Sequence, residues 1–245
     1  MAIEPRMTVA DIATQQPTTI RVFERRRIDF CCGGRRPLAD ACLEHGLQLA
    51  DVMAELEAAV AGTAPPARSW AAASLAEITE HILRRYHDTL REELPRLERM
   101  MDKVLDVHRG RHSELRPVAD AFVSLRGELV PHMAKEEQVL FPYVLRLEGL
   151  AAAGERLVGS PFGSVENPIR VMEADHEQVG RTLALLRGLT DGYLAPPDAC
   201  NTFRGLYHGL GELERELHEH IHLENNVHFP RAVELEAKLR ALSGN

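Results

Sequence analysis

Four stretches of this chain carry apolar residues at alternating steps of three and four, and a histidine interrupts every one of those stripes. The first reads Leu83, His87, Leu90, Leu94, Leu97, Met101, Val104, and the second Val118, Phe122, Leu125, Leu129, His132, Glu136, Val139, Tyr143. The third reads Ile169, Met172, His176, Val179, Leu183, Leu186, and the fourth Leu206, Leu210, Leu213, Leu217, His220, Glu224, Val227. A carboxylate buried in such a core is costly unless it is paired or bound to a metal. No lysine or arginine stands on a stripe at the level of Glu136 or Glu224 to neutralise it.

The four stretches run roughly over 75–107, 114–148, 166–190 and 198–241, separated by Arg109-Gly110, by Gly154 to Gly163 with Pro161, and by Pro196-Pro197. Strand-like alternation is almost absent, so the pattern predicts an all-α, up-down-up-down four-helix bundle. His87 and His176 fall early in their helices, whereas His132, Glu136, His220 and Glu224 fall late. In an antiparallel bundle the start of one helix lies beside the end of the next. All six groups therefore belong to one layer.

The chain also repeats itself. His132-Met-Ala-Lys-Glu136-Glu-Gln-Val-Leu-Phe-Pro142 aligns without a gap on His220-Ile-His-Leu-Glu224-Asn-Asn-Val-His-Phe-Pro230, and His87 and His176 stand at nearly the same offset. Two half-repeats would deliver ligands with approximate two-fold symmetry, which suits a pair of metals with the glutamates as bridges. Imidazole and carboxylate without thiolate suit Fe or Mn, with Zn and Cu also compatible by affinity. Six protein ligands over two metals leave positions open for an exogenous molecule, whereas a closed structural zinc site needs four.

The remaining histidines fit less well. His81, His208, His218, His222 and His228 leave the stripes, and His45, His108 and His112 read as surface residues. The Glu-x-x-His pairs of ferritin-like sites occur at Glu173/His176 and Glu219/His222, but His222 lies about 200° around its helix from His220. Glu80 and Asp175 border the layer and are candidates to support a ligand from behind.

Ahead of the bundle, residues 1–68 read as a small helical unit and 69–245 as the bundle, with Gly62-Thr63-Ala64-Pro65-Pro66 as the linker. Thr8 is positioned to cap a helix entering Asp11-Ile12-Ala13; Thr19 to Arg27 and Leu47 to Val60 are further helical stretches. Asp29-Phe30-Cys31-Cys32-Gly33-Gly34 is the conspicuous motif here. Adjacent cysteines close only a strained ring. Cys31 and Cys32 are therefore candidates for redox or metal handling, with Arg27, Arg35 and Arg36 placed to favour a thiolate; two small residues packed at a turn is the alternative.

A net charge of −8 argues against a nucleic-acid partner. No apolar run approaches the ~18 residues of a membrane span. The N-terminus lacks a signal-peptide layout, and four scattered cysteines fit a reducing compartment, so a cytoplasmic location is expected.

These motifs resemble those of a known family, the repair of iron centres proteins of the YtfE/ScdA type, which are haemerythrin-like. The resemblance spans nearly the whole chain. It rests on the motif at 29–34, Arg-Tyr-His-Asp at 85–88, His-Met-x-Lys-Glu-Glu-Gln-x-Leu-Phe-Pro at 132–142, Val-Met-Glu-x-x-His at 171–176, and the matching run at 220–230. It implies a haemerythrin-like antiparallel bundle preceded by a small ScdA-type domain carrying the cysteine pair. It implies two non-haem iron ions, oxo- or hydroxo-bridged, held by His87, His132, Glu136, His176, His220 and Glu224. It further implies a stress-response role in which iron–sulfur proteins damaged by nitric oxide or oxidants regain their clusters. Reduction of nitric oxide to nitrous oxide and donation of iron are both open as the act. So is a plain dioxygen or nitric oxide carrier or sensor without turnover. Whether the chain is an enzyme, and its oligomeric state, stay open too.

Overall fold

The computed structural model describes residues 3–61, 70 and 72–243. Four short helices come first: α1 (Val9–Gln15), α2 (Ile20–Arg26), α3 (Leu38–Glu44) and α4 (Leu49–Ala61). Thr8 caps α1 as its sequence position predicts, its hydroxyl accepting from the Asp11 N–H at 3.0 Å. α3 is the helix that hydrophobic periodicity does not reveal. It is only seven residues long, too short for a stripe to declare itself. The linker expected at 62–66 and the boundary near 68 lie outside the described residues.

Four long helices follow. α5 comprises Leu75–His81, Ile82–His87 and Asp88–His108; α6 comprises Leu115–Lys135, Glu136–Leu140 and Phe141–Ala153. α7 is Glu166–Leu189, and α8 comprises Asn201–Leu223, Glu224–His228 and Phe229–Ser243. A full capping box starts α5: the Ser74 hydroxyl accepts from the Glu77 N–H, and the Glu77 carboxylate accepts from the Ser74 N–H. No strand is present among the described residues, and no described helix is long and apolar enough to cross a membrane.

The middle segments of α5, α6 and α8 are π-helical, each admitting one extra residue to its turn. One extra residue rotates the following side chains by about 100°, and this corrects two stripe positions. Leu83 is only half-buried while Ile82 and Tyr86 face inward; Val139 is 43% exposed while Leu140 and Phe141 are buried. In α6 and α8 a proline follows at once, Pro142 and Pro230, and cannot donate to the carbonyl four residues back. A wider turn accommodates that missing bond. Nothing comparable stands beside the π-turn of α5.

The buried core forms two apolar clusters, one on either side of the histidine–glutamate layer. One holds Leu90, Leu129, Val179 and Leu217 together with Phe23, Phe30, Leu38 and Leu56 of the N-terminal helices. The other holds Ile82, Leu140, Met172 and Phe229. The N-terminal helices thus share a core with the bundle, packing on the face of α8 that carries Ile221 and His222.

Candidate metal centre

All six residues nominated by the stripes meet between the two clusters, each no more than 2% exposed. Among the described residues they form two sets, His87, Glu136, His220, Glu224 and His132, Glu136, His176, Glu224, whose ligand atoms lie within 4.8 Å of one another. Both glutamates belong to both sets. Glu136 Oε2 lies 3.3 Å from His87 Nε2 and 3.4 Å from His132 Nε2. Glu224 lies 3.2 Å from His176 Nε2 through Oε2 and 2.9 Å from His220 Nε2 through Oε1. Each carboxylate therefore spans one imidazole of either set, as a bridge requires.

The outer ring nitrogens fix how these imidazoles point. His87 Nδ1 donates to Glu137 at 2.7 Å, His176 Nδ1 to Asn225 Oδ1 at 2.8 Å, and His132 Nδ1 to Asp175 at 3.3 Å. Each bond puts the proton on Nδ1 and leaves the Nε2 lone pair facing the layer. Glu137 is itself held by Arg91, and Asp175 by Lys135 at 2.8 Å. Aromatic rings close the layer: Tyr86 stacks on His220 at 4.8 Å, Phe141 on His87 at 5.9 Å and Phe229 on His176 at 6.0 Å.

The half-repeat governs these supports as well as the ligands. Glu137 and Asn225 occupy equivalent positions, each following a layer glutamate and each holding the first histidine of its own half. Phe141 and Phe229 are likewise equivalent. The symmetry fails once: Asp175 supports His132, but its counterpart is Tyr86, which only stacks on His220. His220 Nδ1 is accordingly left without a hydrogen-bond partner.

Whether the layer suits a cation can be judged from its polar atoms. Both Glu136 oxygens, Glu224 Oε2 and His87 Nε2 are buried without hydrogen-bond partners. His132 Nε2 and His176 Nε2 face each other at 3.1 Å. Burial, and then the Glu224 charge, push Glu136 well above the carboxylate range. Burial would lift Glu224 as well, but His220 and His176 hold it well below that range. Burial and the neighbouring His176 push His132 down to about 4. No lysine or arginine stands among these six groups to balance two adjoining carboxylates, and metal cations supply that charge. The donor set fits.

Residues 78–232 match the family described as Hemerythrin HHE cation binding domain, and residues 5–60 match ScdA_N, a domain of unknown function (DUF542). The iron-sulfur cluster repair protein YtfE of Cronobacter sakazakii is 40% identical over 225 residues, covering 92% of this chain and 95% of the relative. The same-named protein of Escherichia coli O6:K15:H31 is 38% identical over 225 residues (92% and 96%), and that of Edwardsiella ictaluri 40% over 226 (92% and 96%). The chain belongs to the YtfE family of hemerythrin-type proteins.

The cysteine motif of this chain has a definite structural setting. The Asp29 carboxylate accepts from the N–H groups of Cys31 (2.9 Å), Cys32 (3.0 Å) and Gly33 (2.9 Å), folding the loop onto itself. Gly34 permits the turn: a Cβ there would clash with the Phe30 carbonyl oxygen. That oxygen accepts from His222 Nδ1 at 3.0 Å, and the Cys31 carbonyl accepts from Asn225 Nδ2 at 3.3 Å. Asn225 therefore joins the loop to His176, one amide serving both.

The thiols themselves differ from the sequence expectation. All four cysteines are free, but Cys31 is buried, and its hydrogen bond to Cys32 together with burial pushes its thiol well above the ordinary range. Arg35 pairs with Glu173 at 2.7 Å and Arg36 pairs with Glu44, so neither is available to Cys31. Glu80 pairs with Arg84 on the surface and does not support a ligand. His108 is buried beside Cys200 Sγ at 3.2 Å rather than exposed, and His222 and His228 are buried too. His228 Nε2 bonds Thr79 Oγ1 at 2.9 Å, and burial pushes it down to about 4.

Proposed function

We propose that this chain holds two non-haem iron ions through His87, His132, Glu136, His176, His220 and Glu224, and supports repair of iron–sulfur clusters damaged by nitric oxide or oxidants. One observation carries the reading: two overlapping ligand sets share both glutamates and leave their oxygens without other partners. The repair role follows the name borne by the relatives, and damaged iron–sulfur proteins are the corresponding partners.

Iron bound there would supply redox chemistry and open coordination positions for a diatomic molecule. The protein's own part is positional. Glu136 and Glu224 would each reach both metal positions, while Glu137, Asn225 and Asp175 hold the imidazole tautomers. Tyr86, Phe141 and Phe229 keep the layer dry. Such enclosure admits only a small ligand and favours nitric oxide, two molecules giving nitrous oxide. Iron donation is the second reading, favoured by a donor set of four neutral imidazoles and only two carboxylates. Cys31 and Cys32 form a thiol pair for redox or metal handling, within an N-terminal unit that packs on the bundle. The free cysteines suit a reducing, cytoplasmic setting.

The test adds iron-loaded, reduced full-length protein anaerobically to a nitric-oxide-damaged [4Fe–4S] hydro-lyase. Reactivation is expected, and a chain with all six ligands changed to alanine should give none. Nitrous oxide in the headspace supports turnover. A stable nitrosyl without it leaves a carrier or sensor. Failure of the loaded protein to reactivate contradicts the repair role.

A further inference from the structure

Cys32 is half-buried, unlike Cys31, and it opens onto a cleft of about 680 Å³ between the Glu24–Gly33 segment and helices α7 and α8. That volume lies within the roughly 300–1,000 Å³ common for small-molecule sites. The cleft carries both signs of charge. Arg187 is engaged by Glu214 at 2.6 Å, and Arg215 by Glu212 at 2.7 Å and Glu219 at 2.9 Å. Two groups stay uncommitted. Arg27 makes no side-chain hydrogen bond among the described residues, and Glu24 Oε1 is buried without a partner. A guanidinium and a carboxyl three residues apart, with a thiol on the same wall, complement a ligand bearing a carboxylate, an ammonium group and sulfur.

We infer that this cleft binds a small zwitterionic disulfide, the oxidised form of a cysteine-containing peptide, and that Cys32 forms a mixed disulfide with it. The inference rests on reading Cys31 and Cys32 as reactive thiols and is independent of the iron centre. In the exchange the Cys32 thiolate attacks one sulfur of the ligand's S–S bond. The Cys32–ligand S–S bond forms, the ligand's own S–S bond breaks, and the second half leaves as a thiolate that takes up the proton Cys32 has lost. No outside oxidant is needed. Arg27 holds the ligand carboxylate and Glu24 its ammonium group.

Cys31 is placed to leave the adduct intact. Its sulfur lies 3.7 Å from Cys32 Sγ, but it is buried, and closing a ring between adjacent cysteines is strained. The adduct should therefore persist until excess small thiol removes it.

The test incubates reduced full-length protein with glutathione disulfide as the probe and with hydroxyethyl disulfide as a neutral control, followed by peptide mapping. A single glutathionyl adduct is expected on Cys32, retained in Cys31→Ser and lost in Cys32→Ser, with a rate that saturates in probe. Arg27→Ala with Glu24→Gln should slow it about tenfold, the scale of one charge-assisted hydrogen bond, and leave hydroxyethyl disulfide within about twofold. Independently of any variant, unreactive S-methylglutathione should slow alkylation of Cys32 by iodoacetamide. An adduct confined to Cys42 or Cys200, or equal unsaturated rates with both disulfides, overturns the inference. If iodoacetamide labels Cys32 and glutathione disulfide does not, the ligand class fails while the reactive-thiol reading stands. If neither reacts, both fail.

Discussion

The histidine–glutamate layer and the cysteine loop lie one hydrogen-bonded side chain apart, yet they treat buried polar groups in opposite ways. In the loop the acceptors are engaged by protein donors: Asp29 takes three backbone N–H groups, and the Phe30 and Cys31 carbonyls take His222 and Asn225. In the layer, four donor and acceptor atoms of Glu136, Glu224 and His87 have no protein partner. A satisfied polar cluster stabilises a shape. An unsatisfied one, held rigid by Glu137, Asn225 and Asp175, is arranged for something else to bind.

This contrast can be broken most forcefully at the layer. Glu136→Ala should abolish metal retention and lose the stabilisation metal confers, about 4 kcal/mol at free metal 1,000-fold above Kd. Melting with and without chelator checks it: the chelator-induced drop in Tm should vanish in the variant. Asp29→Ala should cost less, about 2–3 kcal/mol for three bonds to a carboxylate, and leave metal content unchanged. Denaturant unfolding alongside metal analysis separates the two regions.

Asn225 belongs to both regions and sharpens the comparison. Asn225→Ala frees the His176 ring and the Cys31 carbonyl together, and should weaken metal affinity about 10–100-fold, read by competition with a chromogenic chelator. Glu137→Ala, its counterpart in the half-repeat, should do the same at His87 without disturbing the loop.

The smallest effect concerns His228, buried neutral beside Thr79. Burial pushes it down to about 4 from the ordinary histidine value of 6.5. Between those values the unfolded chain binds the extra proton, so the stability this residue contributes is complete above pH 6.5 and lost as pH falls toward 4. The slope is at most about 1.4 kcal/mol per pH unit. In metal-free protein, His228→Gln should flatten the fall in Tm over that window.

How much of this could be read from the chain depends on the kind of signal each feature leaves. The four long helices and the six layer residues were legible because burying His and Glu on a leucine stripe has few physical excuses. Val139 and Leu83 were misplaced because periodicity assumes an unbroken α-helix, and a π-turn shifts the register. The repeated Phe-Pro after Glu136 and Glu224 was the available hint. Glu137 and Asn225 were missed although the repeat aligns them, since a Glu beside an Asn does not look like a shared role until Nδ1 geometry is seen. α3, and the buried states of His108, His222 and His228, depend on tertiary contacts that no local pattern records.

The central claim is that Glu136 and Glu224 each serve two metal positions. Metal analysis of anaerobically iron-loaded full-length protein, with anomalous scattering from its crystals, tests it most directly. The account predicts two iron ions per chain, one near His87 and His220 and one near His132 and His176, and no retained iron when both glutamates become alanine. A single ion, or two that persist without the glutamates, would contradict it.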